Sequence, residues 1–85
     1  MNYQSKVIKE YSKKGYLVIN LIRLSANGYP DLLCLKDGES IFIECKTGND
    51  TLKPLQKYRI DELNEKGFAA FCIHDGEIIY GNETI

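Results

Sequence analysis

The chain has no apolar run approaching the roughly 18 residues that a membrane-spanning helix needs, so no membrane span is expected. It lacks the charged-then-apolar pattern of a signal peptide, since Met1-Asn2-Tyr3-Gln4-Ser5-Lys6 leads straight into a polar amphipathic segment. Cysteine is scarce and unpaired: there are three, an odd number, with no C-x-x-C. Cys34, Cys45 and Cys72 all fall in apolar, strand-like runs, which predicts buried reduced thiols and a cytoplasmic protein. With a single histidine and no His/Cys cluster, nothing competes for zinc. Linkers, low-complexity segments and long internal repeats are missing too. At 85 residues, one small domain over 1–85 is expected. A domain of this size buries a modest share of its surface, so dimerisation is an expectation.

Positive charge is nearly absent from the last part of the chain. Residues 1–59 hold ten Lys/Arg against six Asp/Glu, and residues 60–85 hold one lysine against six acids. A basic part and an acidic end suit a nucleic-acid face with a solvated back, chance clustering on exposed faces being the alternative. Lys6, Lys9, Lys13, Arg23, Lys53, Lys57 and Arg59 are the candidate phosphate contacts. Arg23, Ser25 and Asn27 are the best placed, because their loop leads into Asp31.

The periodicity predicts seven elements. Gln4, Val7, Ile8 and Tyr11 recur at helical spacing over residues 3–14, with Gly15 as the stop. Residues 16–23 read as a strand, rich in β-branched and aromatic side chains. Two strands follow around Lys36-Asp37-Gly38-Glu39, where Asp-Gly between apolar runs signals a hairpin. Both faces of that hairpin are apolar away from its ends, which predicts a sheet covered on both sides. Pro54 opens a second helix that runs to about Lys66, with Gln56, Ile60 and Leu63 on one stripe. Residues 68–74 form a buried strand, Asp75-Gly76 a second hairpin turn, and residues 77–80 a short last strand. The order α-β-β-β-α-β-β defines an α/β domain with a mixed sheet flanked by helices. His74, at a strand end beside a turn, is expected to lie far in register from the hairpin motif and to be structural or exposed.

The hairpin carries the chemistry. With Asp37-Gly38 as the loop, Lys36 faces Glu39, and the same register sets Asp31 opposite Glu44. Directly opposed Cβ atoms are roughly 5 Å apart, and like charges there repel. A fold that keeps such a pair usually has a cation between them. Lys46, two residues after Glu44, projects from the same face. Asp31 and Glu44 offer hard oxygens suited to Mg2+ or Mn2+, with the Cys45 carbonyl as a further oxygen. An ion held there would lower the pKa of bound water for attack on a phosphodiester, with Lys46 orienting that water or neutralising a phosphate oxygen. A plain salt bridge at a strand end is the alternative.

Pro30-Asp31 and Glu44-Cys45-Lys46 resemble the PD-(D/E)XK nuclease signature, in its restriction-endonuclease-like core. Gly28-Tyr29-Pro30-Asp31, Ile43-Glu44-Cys45-Lys46-Thr47 and Leu52-Lys53-Pro54-Leu55-Gln56 together are similar to the VRR-NUC family, over about residues 4–74. The resemblance implies catalytic roles for Asp31, Glu44, Lys46 and Gln56, with Mg2+ as cofactor and Mn2+ able to substitute. Related nucleases often carry a glutamate on the first helix where this chain has Gln4. Its carboxamide is therefore the implied further metal contact, without charge. Stand-alone members of the family are small phage or bacterial proteins resembling Holliday junction resolvases. They imply a homodimer acting on four-way DNA junctions, in the bacterial host cytoplasm if the chain is phage-encoded. A flap or nicking nuclease within a replication-repair complex, and a DNA-binding module with a weakened site, are the alternatives. For the dimer interface, Ile78, Ile79 and Ile85 are the apolar residues near the end of the chain.

Overall fold

The computed structural model describes residues 2–83. Helix α1 (Tyr3–Lys13) starts where the Asn2 side chain accepts the backbone N–H of Ser5 at 2.8 Å, a side-chain cap for an otherwise orphaned donor. Strands β1 (Leu17–Asn20), β2 (Leu32–Lys36) and β3 (Glu39–Lys46) follow, then α2 (Pro54–Glu65), β4 (Ala69–His74) and β5 (Glu77–Asn82). The five strands form one sheet in sequential order, β1-β2-β3-β4-β5. Among the described residues only β3 and β4 pair in parallel, and α2 makes the crossover between them. This is the mixed α/β arrangement that the periodicity predicts.

The hairpin register also holds. Lys36 pairs with Glu39, Cys34 with Ile41 and Leu32 with Ile43. Asp37 and Gly38 both take positive φ, 51° and 80°, as a two-residue turn matched to strand twist requires. Asp75-Gly76 does the same between β4 and β5.

The sheet is covered on both faces. Val7 and Tyr11 of α1 pack on Leu32, Cys34, Ile43, Phe71 and Ile73. Ile60 of α2 packs on Ala70 and Cys72, with Phe42, Leu52, Leu63 and Tyr80 around them. Alternation along β3 therefore sends Ile43 and Cys45 towards α1, and Phe42, Glu44 and Lys46 towards α2. Cys34 and Cys72 are buried, and all three cysteines are free.

Two strand boundaries differ from the expectation. The first strand stops at Asn20 instead of reaching Arg23. Leu21 donates its N–H to the Asp31 carbonyl at 2.8 Å, and the chain then leaves the sheet as a loop fastened to α2. The last strand extends to Asn82, with a bulge opposite Cys72 and Ile73. No described helix is long and apolar enough to cross a membrane.

Candidate nuclease site

Asp31 stands just before β2, and Glu44 and Lys46 lie at the end of β3. The paired position beyond Leu32 and Ile43 is Asp31 against Glu44, so the ladder delivers both carboxylates to one place. Asp31 does not continue the ladder. Its Oδ2 accepts the Cys45 N–H at 2.9 Å, which ties the loop end to β3. Glu44 and Lys46 are 3% and 5% exposed. Lys46 Nζ lies 3.2 Å from Glu44 Oε2 and 3.6 Å from Asp50 Oδ2. Gln56 Nε2 donates to the same Glu44 oxygen at 3.3 Å, while its Oε1 accepts the Lys53 N–H at 2.9 Å at the start of α2.

The electrostatics follow from this burial. Loss of solvation pushes the Glu44 carboxyl up to about 7, the Asp31 charge adds to it, and Lys46 opposes both. For Lys46, burial alone would lower the pKa. Glu44, Asp50 and Asp31 outweigh burial, so the ammonium is held above its ordinary value.

Among the described residues, no group of three or more His, Cys, Asp and Glu is placed to hold a metal ion. That donor set is wrong for a caged ion. It suits Mg2+ or Mn2+, which use one or two carboxylates and keep most of their waters. A desolvated glutamate opposite an aspartate is also an arrangement that a divalent cation relieves. The Cys45 thiol packs in the α1 core, where burial, Asp31 and Glu44 lift it to about 12, so Cys45 has only its backbone carbonyl to offer.

Other expected residues lie elsewhere. Gln4 donates its amide to Asn20 Oδ1 at 2.9 Å, and no hydrogen bond takes it to Asp31 or Glu44. Lys6 is exposed on α1, which covers the opposite face of the sheet. Arg23 and Ser25 are exposed in the loop after β1. The Asn27 carbonyl accepts Arg59 Nε at 2.9 Å. Arg59 also lies 4.5 Å from the Tyr29 ring and 3.3 Å from Glu62 Oε1, which makes it the anchor of this loop, not a free phosphate contact. Lys53 is exposed at the N-terminus of α2, and Lys57 Nζ sits 5.8 Å above the Tyr80 ring.

Two residues beside the site escaped the sequence. Parallel pairing sets His74 directly opposite Lys46, contrary to its expected distance in register. Its Nε2 is 2.9 Å from the Gly48 carbonyl. Asp50 reaches Lys46 from the loop after β3. A four-residue spacing signals a contact on a helix, but gives no such signal in a loop.

Gly28 explains part of the motif. Its φ is +86°, and a Cβ there would come within 2.6 Å of Leu55 Cγ. Gly28 of the first motif and Leu55 of the third thus meet at the edge of the site. Loop, β3 and helix α2 converge on a buried glutamate and lysine beside an aspartate, the arrangement of a nuclease-type domain. A family model for the VRR-NUC domain matches residues 4–74, and the chain belongs to that family. A solved structure of a VRR_NUC domain is similar at 27% identity with a TM-score of 0.73, over 84% of this chain and 78% of the other. No curated protein matches the chain.

Proposed function

We propose that the chain is a Mg2+-dependent endonuclease, with Mn2+ able to substitute, that hydrolyses phosphodiester bonds in branched DNA. Four-way junctions are the substrate, and two copies act as a symmetric dimer. The observation that carries this reading is the buried Glu44–Lys46 pair set beside Asp31 and braced by Gln56. Asp31, Glu44 and the Cys45 carbonyl would hold the ion. When bound, it would supply an activated water and positive charge at the reacting phosphate. Lys46 presents an ammonium towards the same place and neutralises a phosphate oxygen. Gln56 fixes the orientation of Glu44 from α2. Arg23, Ser25 and Asn27, on a loop anchored through Arg59, reach the DNA beyond the site.

Two symmetric cuts in a junction need two sites, hence two copies. Exposed apolar residues support an interface near β1: Leu17 is 62% exposed and Ile22 89%. β1 is an edge strand with no charge or proline to discourage pairing. Ile78 and Ile79 are exposed on the other edge, and Ile85 lies outside the described residues. The second reading, a DNA-binding module with a weakened site, is favoured by Gln4 alone, neutral and bonded to Asn20.

Cleavage of junction, flap and plain duplex DNA with Mg2+, beside Asp31→Ala and Lys46→Ala, tests the proposal. Paired nicks in the junction, lost in both variants, are expected. Equal cutting of plain duplex would sink junction selectivity. Binding without cutting in Mg2+ or Mn2+ would leave the binding module.

A further inference from the structure

A groove of about 620 Å³ opens between the loop after β3 and the edge strand β5. Asn49, Asp50 and Leu52 line one side, and His74, Ile79 and Tyr80 the other. It adjoins the site through two links, since Asp50 pairs with Lys46 and His74 is the strand neighbour of Lys46. The bulge in β5 shapes it. Ile78 pairs with Ile73 and Tyr80 with Cys72, so Ile79 is the extra residue. In a regular strand, neighbours face opposite sides. Here the bulge lets Ile79 and Tyr80 line the same groove, which is how bulges re-aim side chains next to active sites.

The lining selects a ligand class. Leu52, Ile79 and the Tyr80 ring make an apolar and aromatic floor, and Tyr80 is held in place by its hydroxyl donating to Asp61 at 2.8 Å. Lys57 Nζ over the Tyr80 ring puts one cation on the rim. Asp50 is turned towards Lys46, which it shares with Glu44, and His74 faces Asp75 at 3.5 Å. A phosphate alone would find too few donors on this floor. A flat, π-rich group carrying a nearby negative charge matches it, and the volume lies within the ~300–1,000 Å³ of small-molecule sites. Nucleobases stack on such aromatic platforms without regard to sequence.

We propose that this groove takes a nucleotide unpaired at the opened branch point of the DNA, its base against Ile79 and Tyr80 and its phosphate towards Lys57, next to the bond to be cut. The inference rests on the reading of the chain as a DNA-acting nuclease. It supplies what a small domain needs to tell branched from fully paired DNA, because a base inside a duplex cannot enter.

The test uses the full chain in EDTA and a duplex carrying one unpaired 2-aminopurine, with the fully paired duplex as control. Binding is expected to change the 2-aminopurine emission through stacking. Tyr80→Leu is expected to weaken binding of the unpaired probe by ~10-fold, the scale of one lost base–aromatic stack. The paired duplex should change less than about two-fold. Ile79→Ser, on an exposed bulge, gives the same direction if Tyr80→Leu fails to fold. Unchanged emission, or equal weakening for both DNAs, would overturn the groove. Mg2+-dependent cleavage of a four-way junction by the unaltered chain is read separately. Stacking without cleavage removes the nuclease reading and keeps the groove, while cleavage without stacking removes the groove and keeps the nuclease.

Discussion

Replacing Glu44 with glutamine should shift the stability of the metal-free protein in a pH-dependent way, with the variant gaining on wild type as pH rises. Glu44 is buried opposite Asp31, and its carboxyl titrates at about 7 instead of the ordinary 4.5. A raised carboxyl binds its proton more tightly folded than unfolded. Its stabilising contribution is therefore fully present below pH 4.5 and is lost as pH rises through about 7. Linkage over that interval makes the cost of the charged side chain about 2–3 kcal/mol greater at pH 8 than at pH 5. Glutamine keeps the shape and stays neutral at both. The difference in unfolding free energy, Glu44→Gln minus wild type, should thus rise by about 2 kcal/mol from pH 5 to pH 8. Groups that titrate alike in both proteins cancel. Urea unfolding in EDTA measures it, as a relative midpoint shift on the order of 1 M. A flat difference, or one of opposite sign, would refute the claim that Glu44 is a strained carboxylate in the free protein. Mg2+ then provides the converse: it should raise the stability of wild type at pH 8 and leave Glu44→Gln unmoved.

Lys46→Ala should lower Mg2+-dependent cleavage by roughly 10²–10³-fold, as removal of a positioned charge at a reacting group does, with junction binding little changed in a mobility-shift assay. Gly28→Ala should destabilise by about 2–3 kcal/mol in urea unfolding, because the new Cβ meets Leu55 and the backbone keeps a positive φ. Arg59→Ala should cost about 1–2 kcal/mol through the lost bonds to Asn27 and Glu62 and the freed loop. Hydrogen exchange should show faster amides in residues 21–29, with those of β3 unaffected.

The hairpin was legible because its information is local. Asp37-Gly38 specifies the turn, the turn sets the register, and the register carries Asp31 and Glu44 together with no help from the rest of the fold. Gln56 was legible for a related reason, as the first polar position on the stripe that Ile60 and Leu63 continue towards the sheet. His74 was not. Its place opposite Lys46 depends on how far α2 carries the chain before β4 begins, and a parallel register has no turn chemistry to announce it. The first strand was overextended because β-branched residues signal propensity, whereas its end is decided by the loop that α2 captures through Arg59.

The same division explains how the site is built. The ladder brings the two acids together, and their repulsion is local and unavoidable. What makes the pair tolerable comes from elsewhere: Lys46 from the same strand and Gln56 from the crossover helix, with Asp50 of the following loop competing for Lys46. Gln56 is braced in turn by the Lys53 N–H, and α2 is held to the Asp31 loop through Gly28, Leu55 and Arg59. The three motifs of the sequence are thus one mechanical unit. Loosening any one of them should change the distance between Asp31 and Glu44, on which the proposed cation binding would depend. Gly28→Ala should therefore weaken Mg2+ stabilisation as well as lower stability, although residue 28 touches neither carboxylate.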